Sequence, residues 1–223
     1  MKDGTEAVRR YFFQEYPFSL SGKGDAVDVW VPIMRAAGEK GELAIGVIDW
    51  LHSPALVNRA AQVLAGRLVS QEFDFLLSIE TQAIPLIHVL ASSLSSLLDR
   101  DIPYLVCRKE VKAYMEAPLV ERYRPAMAKE ERLAVLDGRH AQRLRGSKVV
   151  LVDVAVISGQ TMEVLEKIVK RAGGEVVCRA AVVARGGYSE GLVALQTMPL
   201  LTWSEERGAW MEAASDGSGD GQG

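Results

Sequence analysis

The stretch KVVLVDVAVISGQT, residues 148–161, carries the clearest pattern in this chain of 223 residues. A run of apolar and β-branched residues leads to a single carboxylate, Asp153. A short turn of small, amide and hydroxyl-bearing residues follows: Ile157, Ser158, Gly159, Gln160 and Thr161. Beyond the turn, apolar residues recur at helical spacing, so the stretch predicts a buried strand, a tight turn and a helix.

This arrangement suits a phosphate group. The first N–H groups of a helix have no partner within the helix, and its positive end favours an anion. The hydroxyls of Ser158 and Thr161 can add hydrogen-bond donors beside those N–H groups. The turn is therefore a candidate anion-binding loop.

The flanking sequence continues the alternation of strand and helix. Ser53-Pro54 is a typical helix start, and Gly173-Gly174 ends the helix that follows the turn. Further helical periodicity covers residues 85–98, and apolar runs of strand length cover 73–79, 102–107, 131–136 and 176–184. Asp137-Gly138 predicts a turn after the run at 131–136. The chain is thus predicted to be α/β, with a parallel sheet and helices on both faces.

The two ends of the chain lack this alternation. Residues 1–50 mix aromatic residues with Gly and Pro, and residues 185–214 are also irregular, so both predict an irregular cap. The last nine residues, SDGSGDGQG, have the composition of a disordered tail. We expect one domain over residues 1–214, a core at about 54–184, a tail at 215–223, and a functional loop at 109–130.

Composition narrows the class of protein. A net charge of −3 argues against nonspecific nucleic-acid binding, and no apolar run is long enough to span a membrane. Cys107 and Cys178 lie in apolar runs typical of core positions, and His52, His88 and His140 lack metal-ligand spacing. With no signal-peptide pattern, we expect a soluble cytoplasmic protein. G-x-G-x-x-G and P-loop motifs are also missing.

Polar residues follow three of the predicted strands. In open parallel sheets, ligands bind beyond the carboxyl ends of the strands, so these groups should meet at one edge. They comprise Glu80-Thr81-Gln82, then Arg108-Lys109 with Lys112 nearby, and Asp153 with its turn. Cations, an anion-binding loop and one carboxylate suit a sugar that carries phosphates at two ends. Taken singly, Asp153 could also cap a turn, and Arg108 and Lys109 could be solvated strand-end residues.

At these same segments the chain resembles the type I phosphoribosyltransferases. VVLVDVAVISGQT looks like their phosphoribosyl-diphosphate (PRPP) motif, in which an apolar strand, two adjacent acids and small residues precede Thr-Gly-Gly-Thr. SIETQAIPLIHVLASSL is similar to their short diphosphate loop and following helix. YLVCRKEVKAYM resembles the strand that leads into their catalytic loop. The resemblance covers about residues 54–184 and is closest to adenine phosphoribosyltransferase-like members.

The resemblance implies a Rossmann-like parallel sheet flanked by helices, with a small hood formed by residues 1–50 and 185–214. Asp153 would then hydrogen-bond a ribose hydroxyl, and residues 157–161 would surround the 5′-phosphate. Magnesium would be held through PRPP rather than by a protein cage. The resemblance also implies a purine base as acceptor and a homodimer. The residues implied for the diphosphate are Thr81, Gln82, Ala83, Arg108, Lys109 and Lys112.

Two positions depart from the family pattern. Val154 stands where the second acid is expected, so Val154→Asp should raise affinity if this position faces the ribose. Gln160 replaces a glycine and would be strained by ~1 kcal/mol if the position needs a positive φ. Three hypotheses remain: a purine phosphoribosyltransferase, a PRPP- or nucleotide-binding regulatory protein without turnover, and a structural interaction module.

Overall fold

The computed structural model describes residues 15–22, 24–36, 43–46, 53–125, 130–185, 191–198, 201–204, 206 and 209–212. The predicted tail, 215–223, lies outside these residues, and so do residues 1–14 and 126–129. The helices are α1 (Pro54–Leu68), α2 (Ala83–Leu98), α3 (Gly138–Arg143) and α4 (Gln160–Ala172). The strands are β1 (Glu15–Gly22), β2 (Gly24–Ala36), β3 (Leu43–Gly46), β4 (Phe75–Ile79), β5 (Tyr104–Cys107), β6 (Leu119–Tyr123), β7 (Arg132–Leu136), β8 (Lys148–Val156), β9 (Glu175–Arg185), β10 (Leu192–Met198), β11 (Leu201–Ser204) and β12 (Ala209–Glu212).

A parallel sheet of five strands, in the order β10-β9-β8-β4-β5, forms the centre of the molecule. Successive residues of β8 point to opposite faces of this sheet. Val150 and Val152 join an apolar cluster with α1 and α2, whereas Val149 and Leu151 join a second cluster with α3 and α4. The predicted α/β fold, with helices on both faces, is confirmed.

The helix boundaries follow local chemistry. The hydroxyl oxygen of Ser53 accepts a hydrogen bond from the N–H of Leu56 at 3.4 Å, and Pro54 opens α1. Helix α4 begins after Gly159 (φ 77°) and ends at Gly173 (φ 83°). Both glycines adopt a left-handed conformation that costs other residues free energy.

The prediction of an irregular hood needs correction. The two terminal segments do come together, but they form a five-stranded sheet in the order β1-β2-β3-β11-β12, paired antiparallel. Gly and Pro residues had suggested irregular structure, yet backbone pairing overrides that local signal, both between consecutive strands and between the distant strands β3 and β11.

Three smaller predictions also change. Residues 192–198, expected to be irregular, form β10 parallel to β9. The loop predicted at 109–130 contains β6, which pairs antiparallel with β7 in a separate two-stranded sheet. Asp137-Gly138, expected to be a turn after the strand at 131–136, is instead the start of α3, where the Asp137 carboxylate accepts from the N–H of Arg139 at 2.9 Å. Among the described residues, the helices are too short or too polar to cross a membrane.

A crevice opens between β4 and β8. Chain order reverses here, because β5 lies beyond β4 on one side and β9 and β10 lie beyond β8 on the other. Pairing of β4 with β8 ends at Leu77 and Leu151, whereas β8 stays paired with β9 as far as Val156. The buried hydroxyl of Ser78 donates to the Val152 carbonyl at 2.5 Å. Such a switch point is where open α/β sheets bind ligands.

Candidate functional site

Asp153 lies in β8 just past the point where β4 separates from it. Its side chain is partly buried, and Oδ1 accepts a hydrogen bond from the N–H of Val154 at 2.7 Å. Burial raises the pKa of Asp153 to about 6, against the opposing effects of that hydrogen bond and the positive charge of Lys109. Asp153 is therefore a carboxylate that a hydroxyl-bearing or cationic ligand would stabilise in its ionised form.

Val154 does not share this environment. It is 4% exposed and belongs to the apolar cluster beneath α1 and α2, together with Val150 and Val152. Because strand alternation sends residues 153 and 154 to opposite faces, the Val154 side chain points into this cluster and away from the face that carries Asp153.

The predicted phosphate turn lies at the N-terminus of α4. Residues 157–161 line a cavity of about 150 Å³, together with Ala155, Val156, Met162 and, from the segment after β6, Pro125. Gly159 precedes the first residue of α4, and its φ is 77°. Gln160 is that first helical residue and is not among the described residues with positive φ, so the anticipated strain at Gln160 is absent.

The end of β4 supplies the second predicted segment. Thr81 is exposed, Gln82 precedes the first residue of α2, and Ala83 is buried at 1% exposed, so a ligand could reach Ala83 only at its backbone. These residues meet the crevice from the side opposite Asp153. Their backbone N–H groups open a helix of 16 residues and can face an anion.

Glu80 is already engaged within the protein. Its carboxylate accepts from the Arg108 guanidinium at 3.0 Å and from the N–H of Lys109 at 2.7 Å. Burial acts to raise the pKa of Glu80, but these two hydrogen bonds and the nearby positive charges outweigh it and lower the pKa. Glu80 therefore stays ionised and fixes the start of the loop after β5.

The three predicted cations differ in availability. Arg108 is held by Glu80, and the Lys112 ammonium is paired with the carboxylate of Glu110. Lys109 forms no ion pair among the described residues, and its side chain is partly buried. Burial lowers the pKa of Lys109, as does the positive charge of Arg132, while Glu80 and Asp153 act in the other direction. Lys109 is thus the predicted cation left for a ligand.

Sequence reasoning missed two residues of the hairpin that β6 and β7 form. Tyr123 and Arg132 face each other across the two strands, and Tyr123 is 9% exposed. Burial raises the pKa of Tyr123, and the negative charge of Asp153 raises it further. The predicted loop at 109–130 had no period that could place Tyr123. Arg132 lies inside the predicted strand at 131–136, but the sequence did not show which strand pairs with it.

The site offers few ligands to a metal. In the part of the chain that the structure describes, no three His, Cys, Asp or Glu side chains lie together. Asp153 offers one carboxylate beside the crevice, and the carboxylate of Glu80 is already held by Arg108. This donor set fits a magnesium ion that takes most of its oxygens from a phosphorylated ligand, because Mg²⁺ commonly binds through one or two carboxylates plus substrate phosphates.

Comparison with known proteins agrees with this geometry. A family model described as the phosphoribosyl transferase domain matches residues 49–194. The chain belongs to the phosphoribosyltransferase family, in its type I group.

One named relative is similar to about half of the chain. The chain is 31% identical over 117 residues to a hypoxanthine/guanine phosphoribosyltransferase of a Methanocaldococcus species, and that match spans 52% of this chain and 53% of the relative. The chain thus spans about half the length of this curated relative.

Solved structures share the fold at low identity. The adenine phosphoribosyltransferase of Thermoanaerobacter pseudethanolicus matches with a TM-score of 0.57 and 20% identity, over 75% of this chain and 95% of that one. The adenine phosphoribosyltransferase of Trypanosoma brucei, solved with AMP, pyrophosphate and ribose-5-phosphate, matches with a TM-score of 0.54 and 18% identity. This match covers 88% of this chain and 81% of that one.

Proposed function

We propose that this protein transfers the phosphoribosyl group of PRPP to a purine base and releases diphosphate. The observation that carries the proposal is the grouping at one crevice of Asp153, the turn at 157–161 and Lys109. The named hypoxanthine/guanine relative supports a purine as the acceptor.

Each part of the site has a role in this reaction. The turn at 157–161 would hold the 5′-phosphate through backbone N–H groups and the hydroxyls of Ser158 and Thr161. Asp153 would accept a hydrogen bond from a ribose hydroxyl, and the start of α2 would face the diphosphate. Magnesium bound with PRPP would neutralise part of the diphosphate charge.

The chemical step needs little from the protein beyond position and charge. The bond from C1 of the ribose to the diphosphate oxygen breaks, and its electron pair leaves with the diphosphate. A purine nitrogen supplies the pair for the new C1–N bond, and its proton passes to solvent. Positive charge builds on the ribose ring and negative charge on the leaving group, so fixed charges nearby lower the barrier.

A second candidate is a PRPP-binding regulatory protein without turnover. Val154 favours it, because this side chain is buried in the core and leaves Asp153 as the carboxylate of β8 at the crevice. A carboxylate hydrogen bond contributes ~1.5–3 kcal/mol, so a site with one acid would hold the sugar roughly ten- to a hundredfold less tightly than a site with two.

The test combines binding with turnover. PRPP with magnesium should raise the melting temperature of the wild type, because a ligand that binds only the folded state stabilises it. Asp153→Asn should abolish this shift, and Asp101→Asn, which changes an exposed acid before β5, should not. Diphosphate release with adenine, guanine, hypoxanthine or xanthine would support the enzyme. Binding without release would support the regulatory protein, and no binding at millimolar PRPP would reject both.

A further inference from the structure

The hairpin of β6 and β7 brings a second cation towards Lys109. Arg108 and Val135 exchange two backbone hydrogen bonds, each 2.8 Å long, which join the end of β5 to β7. This antiparallel bridge places Lys109 opposite Ala134. Arg132 is two residues from Ala134 and therefore lies on the same face of the hairpin, diagonal to Lys109.

That face is the one turned towards Asp153. Every second residue of β5, β7 and β8 packs into a single apolar cluster together with residues of α4. The strand residues in this cluster are Leu105, Cys107, Ala134, Leu136, Val149 and Leu151. Lys109, Arg132 and Asp153 continue these three rows: Lys109 follows the end of β5, Arg132 is the first residue of β7, and Asp153 lies in β8 past the point where β4 separates from it. The three side chains therefore converge above the apolar cluster, at the mouth of the crevice.

Tyr123 supports Arg132 in this position. The two residues are direct cross-strand partners, and the Tyr123 ring is 9% exposed within the same apolar cluster. Arg132 itself is exposed. Pairing with the strand that carries this buried residue fixes the backbone position of Arg132, while its exposed guanidinium remains accessible to a ligand.

The charges at the mouth of the crevice are unbalanced. Within the described residues, neither Lys109 nor Arg132 has a carboxylate at ion-pair distance, unlike Arg108, Lys112 and Arg139. The like charges of Lys109 and Arg132 repel each other. Glu80 and Asp153 attract Lys109, but Glu80 is already paired with Arg108. Two neighbouring cations with one carboxylate are complementary to a polyanion.

We infer that Arg132 and Lys109 together form a two-cation subsite for the diphosphate group of the ligand. The inference rests on the proposed function and adds to it a residue from the hairpin. Arg presents a planar fork of donors that matches phosphate oxygens, and Lys adds a point charge. As the bond from C1 to the diphosphate breaks, the pair would stabilise the negative charge that the leaving group gains.

The test compares two arginines of the same hairpin. Arg132→Gln removes the proposed contact, whereas Arg122→Gln removes an arginine that is 73% exposed and lies 3.9 Å from Glu131. Calorimetry would measure the affinity for inorganic diphosphate, PRPP and ribose 5-phosphate, each with magnesium. Arg132→Gln should weaken binding of diphosphate and PRPP roughly ten- to a hundredfold and change that of ribose 5-phosphate less than about twofold. Arg122→Gln should change all three less than about twofold.

Further variants keep the result interpretable. Arg132→Lys should recover part of the affinity that Arg132→Gln loses. The melting temperatures of both variants would show whether either is misfolded. Equal effects of Arg132→Gln and Arg122→Gln, or equal losses for diphosphate and ribose 5-phosphate, would overturn the subsite. Wild-type protein that binds neither PRPP nor diphosphate would overturn the proposed function as well. Wild-type binding that Arg132→Gln leaves unchanged would overturn the subsite alone.

Discussion

Asp153 and Val154 are neighbours in β8 whose side chains enter opposite faces of the sheet. The N–H of Val154 donates to Oδ1 of Asp153 at 2.7 Å, yet the Val154 side chain is 4% exposed within the cluster beneath α1 and α2. The position that carries a second acid in the family pattern is therefore a core position in this protein.

Val154→Asp should destabilise the protein rather than improve ligand binding. A carboxylate placed in this apolar cluster would lack a partner, so the free energy of unfolding should fall by roughly 3 kcal/mol or more. Urea denaturation would measure the loss, and Val154→Ala, expected to cost about 2 kcal/mol through its cavity, would separate lost packing from buried charge. A stable Val154→Asp variant with higher PRPP affinity would contradict this placement.

Asp153→Asn should stabilise the folded protein above pH 6. The folded-state pKa of Asp153, about 6, lies above the unfolded value near 3.9, so the folded state binds the proton more tightly. Wild-type stability should then fall as pH rises from 4 to 6, by on the order of 2 kcal/mol, and stay lower above that.

The comparison needs unfolding curves at pH 3.5, 6 and 8. Asparagine cannot ionise, so the gain from Asp153→Asn should be largest at pH 8 and vanish near pH 3.5. The exposed Asp101→Asn should show no such trend. A loss of stability in Asp153→Asn at pH 8 would mean that the carboxylate is stabilised by partners in the fold.

Gly159→Ala should weaken both the fold and the phosphate turn. The residue has a φ of 77°, where a Cβ costs roughly 1 kcal/mol or more. Gly66→Ala is the matched control, because Gly66 lies inside α1 with no atom within 4 Å of an added Cβ. That control should gain roughly 0.5–1 kcal/mol from helix propensity. Thermal melts with and without PRPP would measure both effects, and equal behaviour of the two variants would refute the argument.

Asp137→Asn should lower the melting temperature by several degrees at neutral pH. The Arg139 guanidinium, 2.8 Å from the carboxylate, holds the pKa of Asp137 well below its usual range. Arg139 also donates to the Tyr114 carbonyl at 2.9 Å, so the pair anchors the segment between Lys109 and the hairpin.

The sign of the pH effect follows from the lowered pKa. The contribution of Asp137 is present above its unfolded pKa near 3.9 and is lost as pH falls towards the lower folded value. The melting-temperature difference between wild type and Asp137→Asn should therefore shrink from pH 6 to pH 3. Glu131→Gln, at an exposed ion pair, should change little at any pH. A difference that does not shrink at all between pH 6 and pH 3 would show that another interaction is involved.

The local signals of the sequence were enough for most of the parallel core. Ser53-Pro54 and Gly173 favour helix ends because of their side-chain and backbone properties. The apolar runs at 73–79 and 148–156 have the length and composition of buried strands, and each contains a strand of the parallel sheet. The strands of the terminal sheet could not be predicted as one layer, because β3 and β11 are far apart in the chain and become neighbours only on folding. Strand β10 was missed although its partner β9 directly precedes it, because the sequence after Arg185 has no regular pattern.

The sequence by itself determined the family, the parallel sheet and the segments that meet at its edge, since periodicity and short motifs are local properties of the chain. Only the tertiary structure decided which side chains are available there. It pairs Arg108 with Glu80, buries Val154 on the far face, and turns Arg132 towards Lys109 through a bridge between β5 and β7. The physical reason is that burial, strand parity and ion pairing depend on residues distant in sequence.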